Sequence, residues 1–423
     1  MQPGLNVVVK PNWVTHHNAS GAGWECLVTH PSLLDVLCRY VLKARPRRLI
    51  IGDAPVQGCD FAQLMAVTRT ADILARLPSG ATTIEVKDFR LVTLDEAAHR
   101  TSRASDSRTE ADYVRFDLGA DSLLEPITSG DAPFRVTMYD PRALDDTHAP
   151  GRHQYLVARE LIEADVVFNV PKLKTHKKAG VTGALKNLVG INGHKAFLPH
   201  HRRGGSERGG DAYAGHSMWK AFAEGAYDVA NRLAGGRTKD ALFRSAALLE
   251  RAGAGGDPQS GVEGSWYGND TVWRMSLDLQ RLLRYGRVDG SMSDAPARAI
   301  ITVTDAIIAG QGEGPLAPTP CELGLITLGT SPAAVEWLHA GLMGFDPRRI
   351  PIIAHAFDDV RFPLGPCAPG DIVVRNGGDR LTVDAACRAF GARLAPPSGW
   401  RGHCERDVDA DQNADTRTPR IQS

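Results

Sequence analysis

No apolar run in this 423-residue sequence approaches the roughly 18 residues that a membrane-spanning helix needs. The opening, Met1-Gln2-Pro3-Gly4, lacks the charged and apolar regions of a signal peptide. Net charge is missing as well: 49 Lys+Arg offset 49 Asp+Glu. Binding to nucleic acid or to a membrane by bulk electrostatics is thereby excluded, and any basic site must be local. The seven cysteines (Cys26, Cys38, Cys59, Cys321, Cys367, Cys387 and Cys404) contain no CxxC pair. That spacing argues against a zinc ribbon, a thioredoxin-type redox pair and a ferredoxin-type cluster. Cysteines so scattered fit a reducing cytoplasm, each as a small buried apolar side chain. With no GxSxG elbow and no cysteine beside an evident base, acyl-enzyme hydrolysis has no support. No internal repeat occurs.

What is present is the composition of a globular protein, 43% hydrophobic and 23% charged. At about 150 residues per domain the length suggests two or three domains with ample core. Leu5 to Lys10 reads as a buried strand ended by Pro11-Asn12. A helix starting at Pro31-Ser32 follows, with Leu33, Leu34, Val36, Leu37, Tyr40 and Val41 as its apolar face. Arg48 to Ile51 is the next strand, ending at Gly52-Asp53. This alternation predicts an α/β fold with a mostly parallel, Rossmann-like sheet, whose ligands bind beyond the carboxyl ends of the strands. Further along, Thr83–Val86 and Phe134–Thr137 read as short strands, Leu156–Leu161 as helix and Ala164–Val170 as a buried strand ending at Pro171. Helical patterns run from Ala214 to about Arg251, broken at Gly235-Gly236, and from Asn269 to Tyr285 after a glycine-rich loop. Ala299–Thr304 and Leu325–Leu328 read as strands and Ala333–Leu342 as a helix. The expected organisation is an α/β domain over 1–205, a mainly helical insertion over 206–295, a C-terminal α/β portion over 296–395 and a disordered tail over 396–423.

The densest chemical signal lies between Pro171 and Arg203. This stretch holds six lysines (172, 174, 177, 178, 186, 195) and two arginines (202, 203) with no Asp or Glu. It begins where a parallel sheet places its ligands, and Lys and Arg there suit phosphate or carboxylate. Gly180, Gly183, Gly190 and Gly193 would let backbone N–H groups approach an anion. The spacing matches neither a P-loop nor a dinucleotide fingerprint. His176, His194, His200 and His201, with Asp211 nearby, suit proton transfer or a divalent metal. Asp270, Arg274 and Asp278 fall at i, i+4 and i+8 and predict an ion-paired stripe, a structural role for Asp278, while Asn269 and Asp270 beside aromatics could line a pocket. Thr304-Asp305 and the run Gly310-Gln311-Gly312-Glu313-Gly314-Pro315 place one carboxylate at a strand end and another in a glycine loop, able to hold Mg²⁺ or a substrate hydroxyl.

In these clusters the chain resembles the prokaryotic family called domain of unknown function 362. The matching segments are Val9-Lys10-Pro11-Asn12, Ile51-Gly52-Asp53-Ala54-Pro55, Pro171 to His176 continuing through Leu185-Lys186-Asn187-Leu188, the Asn269-Asp270 to Trp273-Arg274 helix start, Thr304-Asp305 to Gly314-Pro315, and Leu342 to Pro347. The resemblance covers about residues 5 to 350 and implies a cytoplasmic α/β protein, but no chemistry. Many relatives look like iron–sulfur proteins through an appended ferredoxin-like segment. That segment is missing here, so no iron–sulfur cluster is expected.

An enzyme acting on an anionic small metabolite (phosphorylated, a nucleotide-sugar or a carboxylate) by acid/base or metal-assisted chemistry is the function these residues point to. The expected catalytic groups are His176, Lys174 and Lys186. Lys10, Asn12, Lys172, Thr175, Asn187, His200, Arg202, Asn269 and Arg274 would bind substrate, and Asp53, Asp305 and Glu313 a divalent metal such as Mg²⁺. The alternatives are a redox protein akin to the cluster-bearing relatives and a non-catalytic anion- or metal-binding module. The expected partner is a small anion, with neither nucleic acid nor membrane, and the oligomeric state stays open. A composition rich in Ala, Arg and Gly fits a bacterial source.

Overall fold

A computed structural model describes residues 1–95, 101–105, 107–136, 138–254, 261–365 and 367–407. Its centre is an eight-stranded sheet. The strands are β1 (Asn6–Pro11), β2 (Arg48–Asp53), β3 (Thr83–Asp88), β4 (Val166–Val170), β5 (Lys172–His176), β6 (Gly180–Thr182), β7 (Ala299–Glu313) and β8 (Ala317–Gly329). Their order is β6-β5-β7-β4-β1-β2-β3, with β8 also on β7. β1, β2, β3 and β4 run parallel, as do β4 and β5 against β7. Only β6 and β8 are antiparallel to their neighbours.

Alternation along β1 explains its burial. Val8 packs with Ile50, Phe116, Tyr155 and Leu279 on one face, while Val7 and Val9 pack with Leu34, Val41, Leu49 and Ile51 on the other. A parallel strand covered on both faces needs apolar residues at every position, hence the continuous run in the sequence. Helix α1 (Pro31–Lys43) covers the second face through Leu33, Leu34, Cys38, Val41 and Leu42. Val36 and Tyr40, expected on its apolar face, are instead 51% and 64% exposed. The buried stripe follows the i, i+4 spacing of Leu34, Cys38 and Leu42, a rotation away from them.

Four further expectations change. Leu156–Leu161 is half strand and half helix, since Arg152–Ala158 pairs antiparallel with Tyr113–Asp117 and the helix begins only at Arg159. The apolar run there was too short for periodicity to separate strand from helix. Phe134–Arg135 is the only strand in the stretch read over Phe134–Thr137, and Thr137 lies outside the described residues. The Gly310–Pro315 run is no loop: β7 continues to Glu313 and hairpins into β8, so Asp305 sits inside a strand. Residues 396–407 are ordered, with Trp400 buried among Leu173, Val181 and Ile350, while the remaining 408–423 lie outside the described residues.

The helical stretch forms α2 (Met218–Arg232), α3 (Arg237–Gly253) and α4 (Val272–Tyr285), with α5 (Pro332–Leu342) after the hairpin. Asn269 accepts from the N–H groups of Thr271 and Val272 (3.1 and 2.9 Å) and so caps α4. Among the described residues no helix is long and apolar enough to cross a membrane.

Candidate functional site

At the carboxyl ends of β1, β2 and β4 three sequence segments converge. Lys10 Nζ lies 2.6 Å from Asp53 Oδ1 and donates to Pro11 O at 2.8 Å and Asn187 Oδ1 at 3.0 Å. Asp53 also accepts from the backbone N–H of Trp13 (2.6 Å) and Ala54 (2.9 Å). Asn12 donates to Asn187 Oδ1 at 2.9 Å, and Asn187 in turn donates to Asn169 Oδ1 at 2.7 Å. A buried charge pair survives only with its remaining hydrogen-bonding positions filled, and here the neighbouring strand ends fill them.

The lysine-rich run does not leave the sheet at Pro171. Pro171 lacks the N–H to continue the β4 ladder, and the chain resumes as β5 with a shift of register against β7 between Lys172 and Lys174. Lys172 Nζ lies 2.6 Å from Asp305 Oδ2, which also accepts from His30 N at 2.8 Å. Lys174 is fully buried and donates to the Leu27 carbonyl; burial holds its ammonium well below the usual range. Thr175 Oγ1 donates to Gly312 O at 2.8 Å. His176 Nδ1 accepts from the N–H groups of Lys178 (3.0 Å) and Ala179 (3.2 Å), which leaves the proton on Nε2. Burial, reinforced by Lys186, Lys178 and Lys174, keeps this imidazole neutral.

Above these groups opens a cavity of about 400 Å³. Lys178, Lys186 and Lys195 form its cationic wall, with His176 and His200 between them, and Trp13, Val56, Pro315 and Leu316 give it an apolar side. Burial first, then the neighbouring lysines, lowers Lys186 to about 7 and Lys195 to about 8. Lys178 has Glu263 at 3.9 Å; among the described residues neither Lys186 nor Lys195 has a carboxylate within ion-pair distance. His200 Nδ1 donates to Leu198 O at 2.7 Å, so its Nε2 is left as an acceptor. Asn12 Oδ1, Trp13 Nε1, Gln57 Oε1 and Thr182 Oγ1, all on lining residues, are buried without a partner among the described residues. Unpaired buried polar atoms are rare in native structures, so these four are open to a partner from outside the chain, water included.

Of the residues singled out in the sequence, Lys10, Asn12, Asp53, His176, Lys186, Asn187, His200 and Glu313 line this cavity. Lys172, Lys174, Thr175 and Asp305 support it from within the sheet instead. Arg202 lies 3.7 Å from both Asp211 and Asp270, Arg274 pairs with Asp270 at 3.1 Å and Asn269 caps α4, so none of these three reaches the cavity wall. The expected metal carboxylates are separated, each on a different lysine: Asp53 on Lys10, Asp305 on Lys172, and Glu313 on Lys177 at 3.3 Å. Among the described residues no three His, Cys, Asp or Glu side chains come together as a metal-binding group. Gly190 lines the cavity, and three of the four glycines are also required by packing. A β-carbon on Gly183 would strike Glu336, one on Gly190 would strike Asp53 and Lys10, and one on Gly193 would strike Tyr113. Each makes room for a side chain. The ion-paired stripe is half present: Asp278 turns to Arg281 at 3.0 Å and is buried. Sequence reasoning counted Lys178 and Lys195 only as members of an acid-free run and passed over Trp13 and Glu263.

The family model described as "Domain of unknown function (DUF362)" matches residues 7–114 and 128–340. Among solved structures, the chain is similar to a structural-genomics protein from Thermotoga maritima at 10% identity and a TM-score of 0.29. That match covers 77% of this chain and 51% of the other, so the chain spans about half of that protein's length. No curated protein matches it.

Proposed function

Since the chain belongs to the domain of unknown function 362 family, whose name carries no activity, we propose from the cavity itself that it is an enzyme binding a phosphorylated or carboxylated small metabolite and moving a proton on it. One observation carries this: Lys186, buried, and Lys195, half-buried, line a 400 Å³ cavity, and among the described residues neither has a carboxylate within ion-pair distance. Burying uncompensated ammonium groups is costly, and an arriving anion supplies what the chain withholds. Lys186, lowered to about 7, is matched to give or take a proton near neutral pH. Lys178 and Lys195 hold the anion, and the Nε2–H of His176 orients it. Seven free cysteines agree with a cytoplasmic setting.

Calorimetric titration of the full chain with inorganic phosphate at pH 7 tests the anion site. Saturable binding is expected, weakened at least tenfold in Lys186→Met with the melting transition retained. Absence of binding, or equal binding by the variant, overturns the reading.

A further inference from the structure

A second cavity, of about 170 Å³, adjoins the first. Glu263 lines both, and the consecutive His200 and His201 lie one on each. His201 is carried by the short strand His201–Arg202, which pairs with Phe134–Arg135, and α2 and α3 close the other side. The aromatic walls come from Tyr139, Tyr227 and Phe243, the last two with centroids 5.8 Å apart and tilted 52°.

Its charge is largely cancelled in place. Arg135 is held by both oxygens of Asp228, at 3.0 and 3.1 Å. Burial raises the Glu224 carboxyl to about 7, so it can donate as well as accept near neutrality. Three further lining residues carry a buried polar atom with no partner among the described residues: the Tyr139 hydroxyl, His201 Nδ1 and Asn231 Oδ1.

Aromatic walls combined with amide, hydroxyl, imidazole and carboxyl groups suit a flat ring bearing donors and acceptors around its rim. Proteins read single bases in this way, by stacking them on aromatics and hydrogen-bonding their edges. A purely aliphatic guest would leave the same polar atoms unpaired, which disfavours it. We propose that this cavity is a nucleobase pocket and that the protein's ligand is a nucleotide, with its phosphate on the lysines and its base among Tyr139, Tyr227 and Phe243. The inference rests on the anion-site reading and adds the ligand class.

The test titrates the full chain with the four common ribonucleosides, their 5′-monophosphates and inorganic phosphate. At least one monophosphate is expected to bind at least tenfold more tightly than both its nucleoside and phosphate. Asn231→Leu should remove most of that gain and leave phosphate affinity within twofold; Tyr139→Phe, which deletes one hydroxyl, is the second variant should the first fail to fold. Phosphate binding that no monophosphate exceeds overturns the nucleobase pocket and leaves the anion site standing. Nucleoside binding that phosphate neither accompanies nor strengthens overturns the anion site. No binding by any probe overturns both.

Discussion

Gly190 has no room for a β-carbon: one built there would lie 2.0 Å from Asp53 Oδ1 and 2.8 Å from Lys10 Nζ. Both contacts are to members of a buried ion pair whose other positions are already taken by Pro11 O, Asn187 and two backbone N–H groups. The pair cannot step aside without stranding a charge. Gly190→Ala is therefore expected to lose about 3 kcal/mol or more of stability, the range of overpacking combined with a damaged buried pair. Urea denaturation measures it, and a loss under about 0.5 kcal/mol would mean that Asp53 relaxes freely. A run of glycines in a lysine-rich stretch invites the idea of a backbone anion cradle. Which side chain approaches each glycine depends on contacts across more than a hundred residues, and no spacing within the run encodes them.

Elements were legible where burial is uniform and obscure where it changes along the chain. Val7 to Val9, Leu49 to Ile51 and Val166 to Val170 read as strands because both of their faces are covered. The continuation of β4 into β5 was hidden by Pro171, which signals an end, and by lysines, which signal solvent; yet Lys172 and Lys174 are buried. Their burial depends on Asp305 and the Leu27 carbonyl, which arrive from distant segments. The cationic end of the cavity was thus visible as composition, while its division into paired and unpaired lysines was not. Helix α4 behaves likewise. Its Asp278 accepts from Leu123 N at 3.0 Å and Tyr155 hydroxyl at 2.9 Å, besides Arg281, so the helix is fastened to the strand Arg152–Ala158 and to the segment around Leu123. Asp278→Ala strands Arg281 and is expected to cost about 3–5 kcal/mol in urea denaturation. Because Asp278 does not line either cavity, phosphate affinity of the folded variant should stay within twofold; a larger change would tie α4 to the site.

At the scale of the whole molecule the two lysines without a carboxylate among the described residues bear on stability. Lys186 falls from the ordinary 10.5 to about 7 and Lys195 to about 8. Between those values and 10.5 the unfolded chain holds protons that the folded chain has released, so stability rises with pH, by up to about 1.4 kcal/mol per pH unit for each group. Burial pushes the Cys38, Cys59 and Cys404 thiols up to about 12, which opposes the trend once unfolded thiols ionise above about 8.5. The ligand-free protein should therefore gain stability from pH 7 to 8.5, less steeply in Lys186→Met, as read by urea midpoints; an equal slope in both would remove Lys186 as its source. On the proposed reading the same two amines would give a filled cavity a property the empty one lacks. An entering dianion would draw protons from the solvent onto them, so that capture of ligand and capture of hydrogen ions would be a single event. In alkaline surroundings the hydrogen ions would leave, and the cavity would loosen its grip.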